Sequence, residues 1–181
     1  FIVIYVWIRF STISGLAAGV TALLALLHDV FIVFFVFVLF RIPLNDAFVA
    51  VILTIIGYSI NDTIVVYDRI RENKAKNPGM EVTELTNLSV SQVLARSVNT
   101  SLTTGICVLT ILVVSVVFQI SSIREFSLPM FFGLISGCYS SVCIAGVLWA
   151  MWEKRKTKVI KIGEKSNAKN KNHLYNGTSN G

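Results

Sequence analysis

Gly57-Tyr58-Ser59-Ile60-Asn61-Asp62-Thr63-Ile64-Val65-Val66-Tyr67-Asp68-Arg69-Ile70-Arg71-Glu72-Asn73 passes from an apolar run into a charged one, and a carboxylate, Asp62, stands before the change. Upstream, from about residue 44, the sequence is almost continuously apolar, so the segment 44–67 has the length and composition of a membrane-crossing helix. A charge inside such a span costs about 2.5–3.5 kcal/mol on insertion scales, so it faces a partner or a watery cavity and marks function. Asp62 is therefore the first candidate functional residue.

The rest of the chain has the same solvent. Of 181 residues, 54% are hydrophobic and only 14% charged, and the mean hydropathy is +0.71. Soluble domains carry about 25% charged residues, so the bilayer is the medium here. Four stretches are long enough to span it, about 13–40, 44–67, 97–119 and 127–151. The reading is all-α, a polytopic membrane helix bundle with four complete spans. Residues 1–10 read as the end of a preceding, truncated helix, and the chain as the C-terminal part of a larger membrane protein. Lys and Arg set the orientation. The polar connection 69–95 holds Arg69, Arg71, Lys74 and Lys76, with Arg96 just beyond it, and the segment from Lys154 to Lys171 is also basic. Both fall on the cytoplasmic side by the positive-inside rule, and the short connections near Arg41 and Arg124 face outward. The net charge of +6 is thus a topology signal and calls for no nucleic acid. Residues 156–181, basic and poor in apolar side chains, read as a disordered cytoplasmic tail.

Several polar groups interrupt the spans. On a helix, Asp62 shares a face with Tyr58, Ser59 and Arg69, whereas Asn61 aligns with Asp68. Arg69 lies about 10 Å further along the axis, too far for a direct ion pair. Arg96, which enters the next span from the same side, is the leading partner for Asp62. His28-Asp29 breaks the first complete span near its middle; a His that titrates near neutrality beside a carboxylate suits either a proton relay or hydrogen bonding between helices. Gly133, Gly137, Ser141 and Ala145 recur every fourth residue along the last span, as do Ser97, Ser101 and Gly105 along the third, the small-residue pattern of close helix approach. Asn77-Pro78-Gly79 marks a turn, and Val82 to Leu94 forms an imperfect apolar face compatible with an interfacial helix. The three cysteines fall within spans as small apolar residues, no His or carboxylate cluster has metal-site spacing, and no Gly-rich phosphate loop is present.

The run Gly57 to Asn73 resembles the SecF family of protein-export membrane proteins, taken together with Ala25-Leu26-Leu27-His28-Asp29-Val30 before it and Ser89-Val90-Ser91-Gln92-Val93-Leu94-Ala95-Arg96-Ser97-Val98-Asn99-Thr100-Ser101-Leu102-Thr103-Thr104 after it. The similarity covers about residues 1–155 and corresponds to that family's C-terminal membrane half. It implies an RND-like bundle that serves as an accessory subunit of the Sec translocon in the bacterial cytoplasmic membrane, working with SecD, separate or fused. Its other partners would be the translocon channel and its accessory subunits, the exported polypeptide and membrane lipid. It implies no chemical enzyme and no cofactor, the energy source being the proton gradient. The resemblance places the family's important intramembrane Asp at Asp62, within Asn61-Asp62-Thr63, and its important Arg at Arg96. Asp68, Arg69 and Arg71 match the cytoplasmic end of the motif, where an orienting or partner-binding role is as fitting as proton transfer, and His28 and Asp29 match less discriminating positions.

Independently of the family, burial disfavours an ionised carboxylate and a nearby guanidinium favours it, so a carboxylate's proton affinity depends on whether the two are paired. Helix movement would then couple to protonation. Two other readings share these residues: a proton-driven RND exporter of small solutes, and a structural membrane scaffold in which the carboxylates only pack.

Overall fold

The computed structural model describes residues 15–156 and residue 4. The expected truncated helix end at 1–10 and the tail from 157 onward lie outside the described residues. Within 15–156 the chain forms four long helices: α1 (Gly15–Leu39), α2 (Asp46–Lys76), α3 (Val82–Val117) and α4 (Ser121–Lys156). All four are long and apolar enough to cross a membrane. Helices are the only spanning form open to such sequences short of a closed barrel, because lipid offers backbone groups no hydrogen bonds. Helices α2 and α4 pack against each other and against both remaining helices, while α1 and α3 flank them.

Three spans run beyond the lengths read from hydropathy: α2, α3 and α4, the last starting six residues earlier and ending five later than read. At 1.5 Å per residue, the 31 residues of α2 and 36 of α3 measure about 46 and 54 Å, against about 30 Å of hydrocarbon. Both therefore project from the membrane at the same end, joined by a turn in which Gly79 takes φ +106°, a conformation that favours glycine. The polar connection 69–95 is thus mostly a helical hairpin, and Val82 to Leu94 is the first part of α3 and no separate interfacial helix. The physical reason is local: Pro78 and Gly79 are the only strong helix breakers in that segment, and the projecting turns are laced by pairs three or four residues apart, Arg69–Glu72, Asp68–Arg71 at 3.0 Å and Glu72–Lys76.

The opposite end closes with two short connections. Asn45 caps α2, its side-chain oxygen accepting from Ala47 N at 3.0 Å, and its amide donates to Glu125 at the start of α4 at 2.9 Å. The apolar core lies in two clusters. One, around Val66, Tyr67, Ile70, Ala18, Ala22 and Trp149, fills the half nearer the projecting hairpin; the other, around Phe37, Val51, Ile55, Val33 and Leu134, fills the half nearer the Asn45 cap. Between them lies a polar layer.

The small-residue stripe of α4 is what lets the helices close on that layer. A Cβ at Gly133 would meet Ile55 at 2.8 Å and Val33 at 2.9 Å, and one at Gly137 would touch Ser59 and approach Asp29. Just after Gly137 the helix widens into a π segment, Ser140–Ala145. In this wider turn residues five apart come into line, so Ser136, Ser140 and Ser141 all face the core.

Candidate functional site

Two faces of α2 carry polar side chains, and they look in opposite directions. Ser59, Thr63 and Tyr67, every fourth residue, face α1 and α4. Tyr58, Asp62, Arg69 and Asn73 face α3.

On the first face Asp29 is fully buried and its carboxylate is saturated. Ser59 and Ser140 hydroxyls each donate to Oδ2 at 2.7 Å, the Ser136 hydroxyl donates to Oδ1 at 2.8 Å, and His28 Nδ1 lies 3.3 Å from Oδ1. A carboxylate offers about four lone-pair sites, so each is occupied. The network continues: Thr63 donates to Ser141 Oγ at 3.1 Å, Ser141 donates to the Ser59 carbonyl at 3.1 Å, and one turn further on the Tyr67 and Thr21 hydroxyls are 2.6 Å apart. Three helices are thus tied together by one acid and a column of hydroxyls. His28 itself is partly exposed.

On the second face α2 and α3 close like an antiparallel zipper. Tyr58 OH donates to Ser101 Oγ at 2.9 Å, Ser97 Oγ donates to Asp62 Oδ1 at 2.7 Å, Arg69 Nε donates to Gln92 Oε1 at 2.7 Å, and Asn73 Nδ2 donates to Ser89 Oγ at 2.9 Å. Ser89, Ser97 and Ser101 of α3 are spaced by eight and four residues, multiples of four that keep them on one helical face. Asp62 differs from Asp29 in one respect that matters: its Oδ2 is buried and has no hydrogen-bond partner. Arg96, the residue before Ser97, is near enough to act on Asp62 through its charge, yet makes no ion pair with it. Arg96 is exposed and lines a cleft of about 1090 Å³ between α2 and α3 with Asp68, Arg69, Arg71 and Gln92.

The structure therefore brings Asp62 and Arg96 into one neighbourhood, with Ser97 as the direct contact, and separates both from His28 and Asp29, which lie across α2. No hydrogen bond links the two groups among the described residues. Thr63 belongs to the Asp29 side through Ser141, whereas Asn61 is exposed. Asp68 pairs with Arg71, and Arg69 with Glu72 and Gln92, all on the projecting hairpin. Ser136 and Ser140 are the residues that sequence reasoning missed. Serines in an apolar helix read as packing residues, and the i, i+4 spacing of Ser136 and Ser140 opposite an isolated Asp was the available signal. Among the described residues no group of His, Cys, Asp and Glu is placed to hold a metal ion.

Residues 1–155 match the family described as protein export membrane protein SecD/SecF, C-terminal. The chain belongs to this SecD/SecF family. A protein translocase subunit SecF of Petrotoga mobilis is 45% identical over 159 residues, which cover 87% of this chain and 49% of the relative. Protein translocase subunit SecDF of Bacillus subtilis is 43% identical over 160 residues, 87% of this chain and 21% of that one. A crystal structure of SecDF in a super-membrane-facing form superposes with a TM-score of 0.79 at 39% identity, covering 91% of this chain and 21% of that chain. The chain thus spans about half the length of its SecF relatives. The all-helical membrane bundle is the one this SecD/SecF family uses, and the segments that carried the resemblance lie on α1, α2 and α3, around the two acids.

Proposed function

We propose that the protein is the membrane-embedded part of an accessory subunit of the Sec protein translocase, in which Asp62 and Arg96 form a proton relay that couples the transmembrane proton gradient to export of polypeptides. Membership of the SecD/SecF family supports the translocase setting. The observation that carries the relay is the asymmetry of the two acids: Asp29 has every lone pair occupied, whereas Asp62 has a single hydroxyl donor on one oxygen and an unpartnered, buried second oxygen near the exposed, long-armed Arg96.

The mechanism follows from that geometry. With Arg96 withdrawn into the hairpin cleft, a buried carboxylate is better accommodated with its proton on. When α3 shifts so that the guanidinium reaches Oδ2, the ionised form is favoured and the proton leaves. Access from opposite sides in the two positions turns downhill proton flow into a cycle of α2–α3 movement. Ser97 steadies Oδ1 in the position the structure holds. Asp29 and its serines hold α1, α2 and α4 as the fixed frame against which α3 moves.

A partner fits the exposed side of the same pair. Asn61 and Asn99 are exposed at the level of the apolar segments, where lipid leaves amides unsatisfied. Helices of SecD, separate or fused, would cover them and complete the site, and the translocon channel with its accessory subunits would present the polypeptide. By the positive-inside rule the projecting hairpin and the end of α4 face the bacterial cytoplasm. The test is export into vesicles bearing the full-length complex with an imposed proton gradient. Asp62→Asn and Arg96→Met complexes are expected to assemble and to lose the gradient stimulation; normal stimulation in both would overturn the relay.

A further inference from the structure

Beside the end of α4 lies a groove of about 540 Å³ between that helix and the start of α1, sharing no lining residue with the Arg96 cleft. Its walls are Leu24, Leu148 and Met151, its floor is the buried Thr21, and at its mouth stand Trp152, Arg155 and Lys156. Leu24, Met151 and Trp152 are each about half exposed, so the groove opens outward to the surroundings of the bundle.

The cations at its mouth differ from their neighbours. At this end of the molecule Arg69 and Lys76 pair with Glu72, Arg71 with Asp68, Lys74 with Glu153, and Lys154 with Glu81. Arg155 and Lys156, both exposed, have no carboxylate partner among the described residues. They are two adjacent positive charges at the mouth of an apolar trough. From Leu148 to Arg155 the helix rises about 10 Å, which carries the trough from the level of the charges into the apolar zone.

We propose that this groove binds one anionic phospholipid, with the phosphate held between Arg155 and Lys156, the Trp152 indole beside the headgroup, and an acyl chain laid along Leu24, Leu148 and Met151. The charge pattern selects the ligand. A zwitterionic lipid would bring its own cation to Arg155 and Lys156, and a soluble anion would leave the apolar walls uncovered. Basic pockets between membrane helices recognise anionic headgroups in this way, and an indole is at home at headgroup depth.

The experiment is native mass spectrometry of the full-length protein in mild detergent, titrated separately with phosphatidylglycerol and phosphatidylcholine. The expected result is one retained phosphatidylglycerol and no retained phosphatidylcholine. Replacing both charges, Arg155→Gln with Lys156→Gln, should weaken phosphatidylglycerol about 30-fold, the product of two cations each worth about 1 kcal/mol near an anionic surface. Leu24→Trp, which fills the trough and keeps both charges, should also displace the lipid. Equal retention of the two lipids, phosphatidylglycerol binding unchanged by either change, or an equal loss from Arg41→Gln at the opposite end of the bundle would each overturn the proposal.

Discussion

Asp29 and Asp62 are both carboxylates on apolar helices, and their surroundings assign them different work. Asp29 receives three serine hydroxyls and faces His28, so removing it strands donors from two other helices. Hydrogen bonds between membrane helices are worth about 0.6 kcal/mol on average and up to about 1.7. Asp29→Ala should therefore lower stability by about 2–4 kcal/mol, read as a fall in the thermal melting temperature of the purified protein, whereas Asp62→Asn should melt near the wild type. Equal melting of Asp29→Ala and wild type would remove the frame role. For His28, an alanine variant with export of unchanged pH dependence is expected, since its ring lies at the edge of the network. Hydropathy was enough to find both acids, because each is a charge in an apolar run. It did not reveal their partners: Ser136 and Ser140 answer Asp29 from 107 and 111 residues away, and no periodicity within one helix reports which neighbour it meets.

At the level of helices, the small residues separate into those that are crowded and those that are not. Gly133→Ala should push α4 off Ile55 and Val33 and cost about 1–3 kcal/mol, as overpacking of a filled core does. Gly105→Ala and Gly57→Ala meet nothing within 4 Å and should leave the melting temperature unchanged. Gly133 is thus a crowded contact and Gly105, at the end of the Ser97–Ser101 stripe, an open position, a distinction that spacing alone does not carry. The hairpin end is held to α4 by Lys154, which lies 3.1 Å from Glu81. Its hydrogen bond, aided by Thr83, holds the Glu81 carboxyl below the usual carboxylate range. A depressed folded value means that the contribution to stability is fully present above the unfolded value of about 4.3 and is lost as pH falls through the lower, folded value. Melting curves of wild type and Glu81→Gln should accordingly differ at pH 6 and converge towards pH 3; a constant gap would show that the pair is unimportant. Four helices were legible from hydropathy, although α4 begins six residues before the position read, at Ser121. The projecting turns were not, because polar residues that leave the membrane look the same in a loop and in a helix.

For the whole molecule, the uneven covering of the helices is the informative feature. Only 11% of the apolar window of α3 is buried within the chain, against 50% of that of α4. Helix α3 rests along one side on α2 and α4 and leaves most of its apolar window bare, whereas α4 is enclosed at Gly133, at the Asp29 network and along the π segment. In the proposed cycle, that difference makes α3, which carries Arg96, the helix that moves. In the function proposed above, membership of the SecD/SecF family suggests the setting, export of polypeptides, and the half-satisfied Asp62 would hold the proton. The most direct measurement is proton entry into liposomes that contain the full-length complex, followed with an internal pH indicator after a gradient is imposed. The expected entry rate exceeds that of empty liposomes, and Asp62→Asn abolishes the excess while the protein stays folded; entry through Asp62→Asn at the wild-type rate would contradict a relay through Asp62.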